Sequence, residues 1–372
     1  MAEYAVMPKA DYAAACDAVR SRNGSTEAIK SGELAAQIQH LTDNEDALIA
    51  RTLSGEYKNE RLTVIGDYAF YGCKNLTKVS LPNVGSIGKG IFGYCEGLTN
   101  VDISQVTSIG QDAFTHCTSL PEADFPNVVS IGRDAFSYCA NLQTAIFPLT
   151  TSIGAYAFDA CKKMTSVFFP QVTSVENYAF RLCSLLKLVD LPSVTSIGAN
   201  AFQGCAALVY ADFTSVTSIG SYAFENCQQL VRASFPKATS VPSYAFRNCA
   251  SLQNIYFSVA TVLANYSFAS CGNLAIADFP RVTTINPYAF NGCRSLTALA
   301  LRRSAAIVSL SNVNALAGTP IEGGEGYIYV PSALLSSYQI DSRWKTFANQ
   351  FRALEGYTVD GTITGELDRT KI

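Results

Sequence analysis

Twelve cysteines and only two histidines, His40 and His116, set the limits on chemistry in this 372-residue chain. Thiols act as nucleophiles, metal ligands or disulfide partners when they lie close together or beside a base. Eleven of these cysteines fall at a constant interval of 22 residues: Cys73, Cys95, Cys117, Cys139, Cys161, Cys183, Cys205, Cys227, Cys249, Cys271 and Cys293. No C-x-x-C pair of the metal or redox kind is present. Thiols stacked one strand spacing apart, ~4.8 Å, run parallel, whereas a disulfide needs β-carbons ~3.8 Å apart and converging. The spacing therefore predicts free thiols packed as small buried hydrophobes. His116 occupies a position also filled by Gly72, Tyr94, Tyr138 and Gly204. That variability predicts an exposed turn slot and not the base of a Ser-His-Asp triad. Serines such as Ser86, Ser108 and Ser130 recur with the same interval, and no phosphate-binding glycine loop appears. We expect no catalytic residue, no cofactor and no metal, hence no enzyme.

Composition narrows the partners. Net charge is −3 and charged residues are 15 %, against 48 % hydrophobic. Phosphate binding needs clustered Lys and Arg, so nucleic acid is not expected as a partner. The first residues, MAEYAVMPKADYAAACDAVRSRNG, lack a basic n-region and a long apolar core. No run of 18 apolar residues occurs, so direct membrane insertion is not expected. These features predict a cytoplasmic protein, one released by a virion or by lysis, or one reaching a surface by an unseen route.

The elements that position the cysteines are repeats. Phe keeps the step from Phe70, Phe92, Phe114 and Phe136 to Phe290, and an apolar residue follows each Cys by three, from Leu76 to Leu296. The unit reads I-G-x-x-A-F-x-x-C-x-x-L-x-x-V-x-F/L-P-x-V-x-S, eleven times without insertion. A single unit cannot bury its apolar side, but a stack can. Leu76 to Leu81 alternates, which predicts a strand with Val79 and Leu81 inward and Lys78 and Ser80 outward. Pro82 would end it. Val106 to Ile109 predicts a second short strand, and Ala-Phe-x-x-Cys a tight turn that drives Phe inward. Ile65, Ala69, Phe70, Cys73, Leu76, Val79 and Leu81 would each start a core ladder.

The motif I-G-x-x-A-F-x-x-C-x-x-L, as in Ile65 to Leu76 and Ile197 to Leu208, resembles the BspA-like, or treponemal-type, leucine-rich repeat over about residues 62–310. The resemblance implies a curved, non-enzymatic binding scaffold. The fold class expected is an α/β repeat: a leucine-rich-repeat solenoid of eleven repeats with a parallel β-sheet, spanning 46–310. A helical N-terminal unit (1–45) and an α/β C-terminal cap and tail (311–372) would cover its ends.

In the N-terminal unit, residues 8–22 and 31–41 read as two helices, and 47–53 as a first strand. Residues 10–20, with Gly24, Ile29 and Leu34 to Ile38, resemble a module found at the start of tail-associated proteins in prophages of Gram-positive gut bacteria. That likeness implies homo-oligomerisation or virion attachment through this unit. At the other end Ile307 keeps the repeat phase, with Asn312 at the Phe position and Ala315 at the Cys position. Tyr327 to Val330 reads as a strand, Pro331 as a helix opening, and Asp341 as the cap of a helix with a Trp344, Phe347, Phe351 and Leu354 stripe. Tyr357 to Thr362 suggests a hairpin.

The outward strand positions are the ones the stack does not dictate. Ile146, Phe168, Leu188, Tyr210, Tyr256 and Ile276 place large apolar groups there, beside Asp190 and Asp212. Lys78, Ser80, Asn100, Asp102, Glu122 and Asp124 lie to one side, and Ala298 and Ala300 end the series. Exposed apolar patches mark binding surfaces. These eight residues are the candidate ligand-binding set on the concave face, for a protein or glycan receptor. The function expected is a phage or prophage tail-associated, receptor-binding-type scaffold. The alternatives are a bacterial surface or secreted adhesin and a structural, oligomerising spacer.

Overall fold

The computed structural model describes residues 53–354, together with Thr358–Val359 and Thr362–Ile363. The expected helices of 1–45 lie outside the described residues, as does all of the expected 47–53 strand except Leu53, which is buried but not in a strand.

Each repeat contributes three hydrogen-bonded columns. The first is the strand face, starting with Ser54–Lys58 and Asn75–Ser80 and continuing through Asn100–Asp102 to Ala298–Leu301. Neighbours pair in parallel at matching repeat positions, as in Glu122 with Thr144 and Thr144 with Ser166, in four sheets that break after Asn100–Asp102, Leu188–Asp190 and Asn254–Tyr256. The second is a column of two-residue strands on the other side, such as Ser108–Ile109 and Ser130–Ile131. The third lies in the turns: Phe114 N–H donates to the Ala135 carbonyl and Phe136 N–H to Ala157, each 2.7 Å. Backbone polar groups are thereby satisfied between repeats, which a buried stack requires.

The strand face has fourteen rungs among the described residues, three more than the eleven sequence repeats. Ser54–Lys58 adds one before them, and Tyr327–Pro331 and Phe351–Leu354 add two after.

Inside, the Phe rings form an offset stack. Phe136, Phe158, Phe180 and Phe202 lie 5.2–5.4 Å apart, with rings within 9° of parallel. A second ladder, including Phe147, Phe169, Phe235 and Phe257, meets the first edge-on or tilted. Such geometries suit the ring quadrupole. Ile65, at the first repeat, is only half-buried.

The eleven repeat cysteines are buried thiols, none of them in a disulfide, as the spacing predicts. They also do something the spacing does not show. Cys95 Sγ donates to the Phe70 carbonyl at 3.0 Å, and the same bond recurs in each later repeat to Cys293 and Phe268. The Phe70 carbonyl also accepts the Cys73 N–H. The thiol is therefore a small apolar filler that carries a weak donor where one is wanted. Burial pushes Cys117, Cys183 and Cys227, among others, well above the ordinary thiol range.

Two backbone features were not expected. Each turn carries two residues in the left-handed region, four apart, and most are not glycine: Asp112 and His116, Tyr178 and Leu182, Tyr244 and Asn248. Side chains there cost free energy, so the inter-repeat bonds on both sides must hold them. The Gly of the I-G pair has a different reason. A Cβ on Gly132 would lie 2.6 Å from the Gly110 carbonyl carbon, because successive backbones nearly touch.

The C-terminal end departs from the expected phase. Leu310, not Ile307, pairs with Ile285. Leu316, not Asn312, fills the Phe position, with Ala315 accepting the Phe290 N–H. The extra residues of the 302–306 stretch push the chain out of step. Pro331 ends its strand and caps a 3-10 turn, Ser332–Leu334, followed by the helix Leu335–Ile340. Asp341 closes that helix instead of opening another. The expected stripe is split between a 3-10 segment, Lys345–Gln350, and the strand Phe351–Leu354. All four stripe residues are nonetheless buried.

This cap seals the stack with hydrogen bonds as well as apolar bulk. Tyr338 Oη accepts the Val308 N–H, and Trp344 Nε1 donates to the Val308 carbonyl, both at 2.8 Å. Val308 is thus satisfied by side chains where a further repeat would have supplied backbone. Thr358–Val359 and Thr362–Ile363 form the expected hairpin.

Candidate functional site

The strand face presents two outward columns per rung. Cα pairing places Asp124, Ile146, Phe168 and Asp190 in one column, and Glu122, Thr144, Ser166 and Leu188 in the other. Ile146 and Phe168 are therefore side by side, about one strand spacing, ~4.8 Å, apart. Leu188 and Tyr210 follow on successive rungs of the second column. These four, with relative exposures of 45, 46, 63 and 56 %, lie on four successive rungs, with a break in the sheet pairing between Leu188 and Tyr210. The pleat explains their position: Val167 and Val189, between the outward residues, point into the core.

The other candidates are arranged differently. Tyr256 is exposed, but Arg232 and Ser234 separate it from the patch. Ile276 is half-buried and packs into a small apolar cluster with Ala300, Tyr329 and Leu354. Ala298 and Ala300, expected to face water, are fully buried. Larger side chains on the flanking rungs close over these small ones, and Arg352 lies 4.1 Å over the Tyr327 ring. The face is thus open in its middle and closed at its C-terminal end.

Its acids are not equivalent. Asp212 pairs with Arg232, whose guanidinium lies 5.2 Å over the Tyr210 ring. Asp278 pairs with the largely buried Arg302. Asp102 accepts a 2.8 Å bond from Ser80. Asp190, Glu122 and Asp124 are exposed.

On the turn edge, His116 is half-buried and not exposed as its variable slot suggests. Tyr94 and Tyr138 sandwich it at 4.3 and 4.7 Å, and Thr115 Oγ1 lies 3.1 Å from Nδ1. Burial pushes its pKa down. It is a ring in a stack. Tyr222, Tyr244, Tyr266 and Tyr288 form a second stack, at 4.5–4.8 Å. Elsewhere on this edge Asp112 and Asp134 are half-buried, and burial raises both, Asp134 to about 6.

From Thr115 to Arg247 the residue after each Phe forms a polar column that the repeat consensus, which leaves this position open, does not announce. Thr115 meets Ser137, Arg181 forks onto Asp159 at 2.7–2.8 Å, and Gln203 and Arg247 both donate to Glu225. Asp159 and Glu225 are almost fully buried. Opposite charges one repeat apart, Asp159 with Arg181 and Glu225 with Arg247, were the available signal. Among the described residues no group of three or more His, Cys, Asp or Glu converges as a metal site, and no helix is long and apolar enough to cross a membrane.

Comparison with known proteins fits this geometry. The family model for the BspA type leucine-rich repeat region matches residues 56–165, 151–275 and 261–319. No curated protein matches the chain. Among solved structures, a leucine-rich repeat protein from Bacteroides ovatus is 23 % identical, with a TM-score of 0.59, covering 82 % of this chain and 85 % of that one. A leucine-rich cell surface protein from Faecalibacterium prausnitzii is 25 % identical, with a TM-score of 0.44, covering 80 % and 82 %. A leucine-rich repeat protein from Eubacterium ventriosum is 22 % identical, also with a TM-score of 0.44, covering 77 % and 86 %. By its repeats, its stacked parallel strands and the matched family model, the chain belongs to the BspA type leucine-rich repeat family.

Proposed function

We propose that this protein is a non-enzymatic recognition scaffold that binds a macromolecular receptor, protein or glycan, through the middle of its strand face. The observation that carries this is the exposure of Ile146, Phe168, Leu188 and Tyr210 on four successive rungs of the face. Water-facing positions of a sheet have no structural need for four large apolar groups on successive rungs, and burying them in a partner recovers ~25 cal/mol per Å². Leucine-rich-repeat domains generally bind protein partners, and an adhesin at a bacterial surface accords with that. The test is retention of labelled protein on candidate bacterial cells. The double variant Phe168→Ala with Tyr210→Ala is expected to lose most of the retention. Unchanged retention would show that the strand face is not the binding surface.

A second reading concerns attachment, and the likeness of residues 10–38 to prophage tail modules supports it. In this reading the first 45 residues tether the scaffold to a particle or to copies of itself. Light scattering of the full chain and of a chain lacking 1–45 tests it. The full chain should form oligomers that the shortened chain does not, and a monomer in both cases would contradict the reading.

A further inference from the structure

The patch is bordered unequally. On its C-terminal side, the Arg232 guanidinium neutralises Asp212. On its N-terminal side, Asp102, Glu122 and Asp124 place three carboxylates on two successive rungs, which lie on either side of a break in the sheet pairing. From Asn100–Asp102 through Leu188–Asp190 the outward positions carry carboxylates and no Lys or Arg. Like charges side by side on a sheet oppose one another; the nearest cations on the face are Lys58 and Lys78, on the two rungs before Asn100–Asp102. The same stretch holds three of the most exposed apolar side chains of the face, Ile146, Phe168 and Leu188, with Tyr210 on the next rung.

We infer that the occupant of this face is a polypeptide segment that lays apolar side chains on Ile146, Phe168, Leu188 and Tyr210 and sets Lys or Arg residues against Asp102, Glu122 and Asp124. The inference rests on the recognition reading above and adds the partner's chemistry and its direction. Aliphatic groups such as Ile146 and Leu188 gain little against a hydroxyl-rich sugar but bury well against apolar side chains. The carboxylates disfavour phosphate- or uronate-bearing polymers and steer cations toward one end. Six rungs from Asp102 to Tyr210 span roughly 24 Å at the sheet spacing, the length of about seven extended residues. The basic end of the segment lies toward the N-terminal rungs.

The test uses the full chain and fluorescent synthetic peptides followed by anisotropy. One peptide joins a Leu, Phe and Tyr block to a Lys block, a second replaces Lys by Glu, and a soluble neutral glucan is the third probe. The Lys peptide should bind about tenfold more tightly than the Glu peptide at low salt, and the gap should shrink as salt rises toward about 1 M. The triple variant Asp102→Asn, Glu122→Gln, Asp124→Asn should erase the gap, and Phe168→Ser with Tyr210→Ser should abolish binding of the Lys peptide. All these side chains are at the surface, so melting curves should stay at the wild-type position. If both peptides bind equally and only the apolar variant matters, the charge selection is overturned while the recognition reading stands. If neither peptide binds but the glucan does, the polypeptide assignment is overturned. If binding ignores both variants, the inference and the strand-face reading fall together.

Discussion

The Phe column and the strand-face columns share the same repeat interval and the same neighbours, yet they differ in what they tolerate. From Phe70 to Phe290 every rung of the first holds the same buried ring. Along the second, Glu122, Thr144, Ser166, Leu188, Tyr210 and Arg232 succeed one another. An enclosed column fixes its residue because each ring is packed above and below by copies of itself. An open column leaves the choice to whatever meets it from outside. Between these extremes runs the column after Phe, which is enclosed but varied: Thr115 with Ser137, Asp159 with Arg181, Gln203 and Arg247 with Glu225. Its members are chosen in complementary sets, so variation in sequence alone does not mark a binding surface.

The sharpest way to break this contrast is a charge in the Phe column. Phe180→Asp puts a carboxylate between Phe158 and Phe202, 5.4 Å away on either side. We expect a loss above ~4 kcal/mol in chemical denaturation, enough to unfold the middle of the stack. A small loss would mean that the column is not enclosed.

The intermediate column should respond next. Arg181→Ala leaves the carboxylate of Asp159, which is only 2 % exposed, without its partner. The cost should be about 2–3 kcal/mol, toward the low side for a broken buried pair because Arg181 keeps part of its guanidinium in water. Adding Asp159→Ala should recover much of it. A simple sum of two losses would show that the two residues do not act as a set.

The smallest effect is a gain. Ser267 stands where most repeats carry Ala, and its Oγ is buried without a hydrogen-bond partner. Ser267→Ala should stabilise by about 1 kcal/mol, read as a rise in denaturation midpoint. A loss would mean that the hydroxyl is satisfied in solution.

The 22-residue interval shared by Cys, Phe and Leu makes the solenoid and its ladders legible. Alternation around Val79 placed the face correctly, and the exposed residues Ile146, Phe168, Leu188 and Tyr210 are where the pleat puts them. Three kinds of information were not legible. Tyr has no preference for the left-handed backbone, so the turns at Tyr178 and Tyr244 follow from inter-repeat bonding and not from residue type. The Cys95 thiol's donation to Phe70 depends on a distance that the interval does not contain. The terminal shift, with Leu310 taking the place of Ile307, depends on how much chain the 302–306 stretch takes up before pairing resumes. Ala298 and Ala300 were misplaced for a related reason, since small residues outward on a strand are covered when the next rungs carry Ile276 and Tyr329.

The enclosed columns, then, hold the scaffold, and the binding we propose falls to the open face. Melting and cell retention measured together on Phe168→Ala with Tyr210→Ala put both halves of that division at risk in one variant. We expect a melting curve within about 0.5 kcal/mol of wild type, as for surface substitutions, together with loss of most retention. Wild-type retention, or a large fall in stability, would contradict the division.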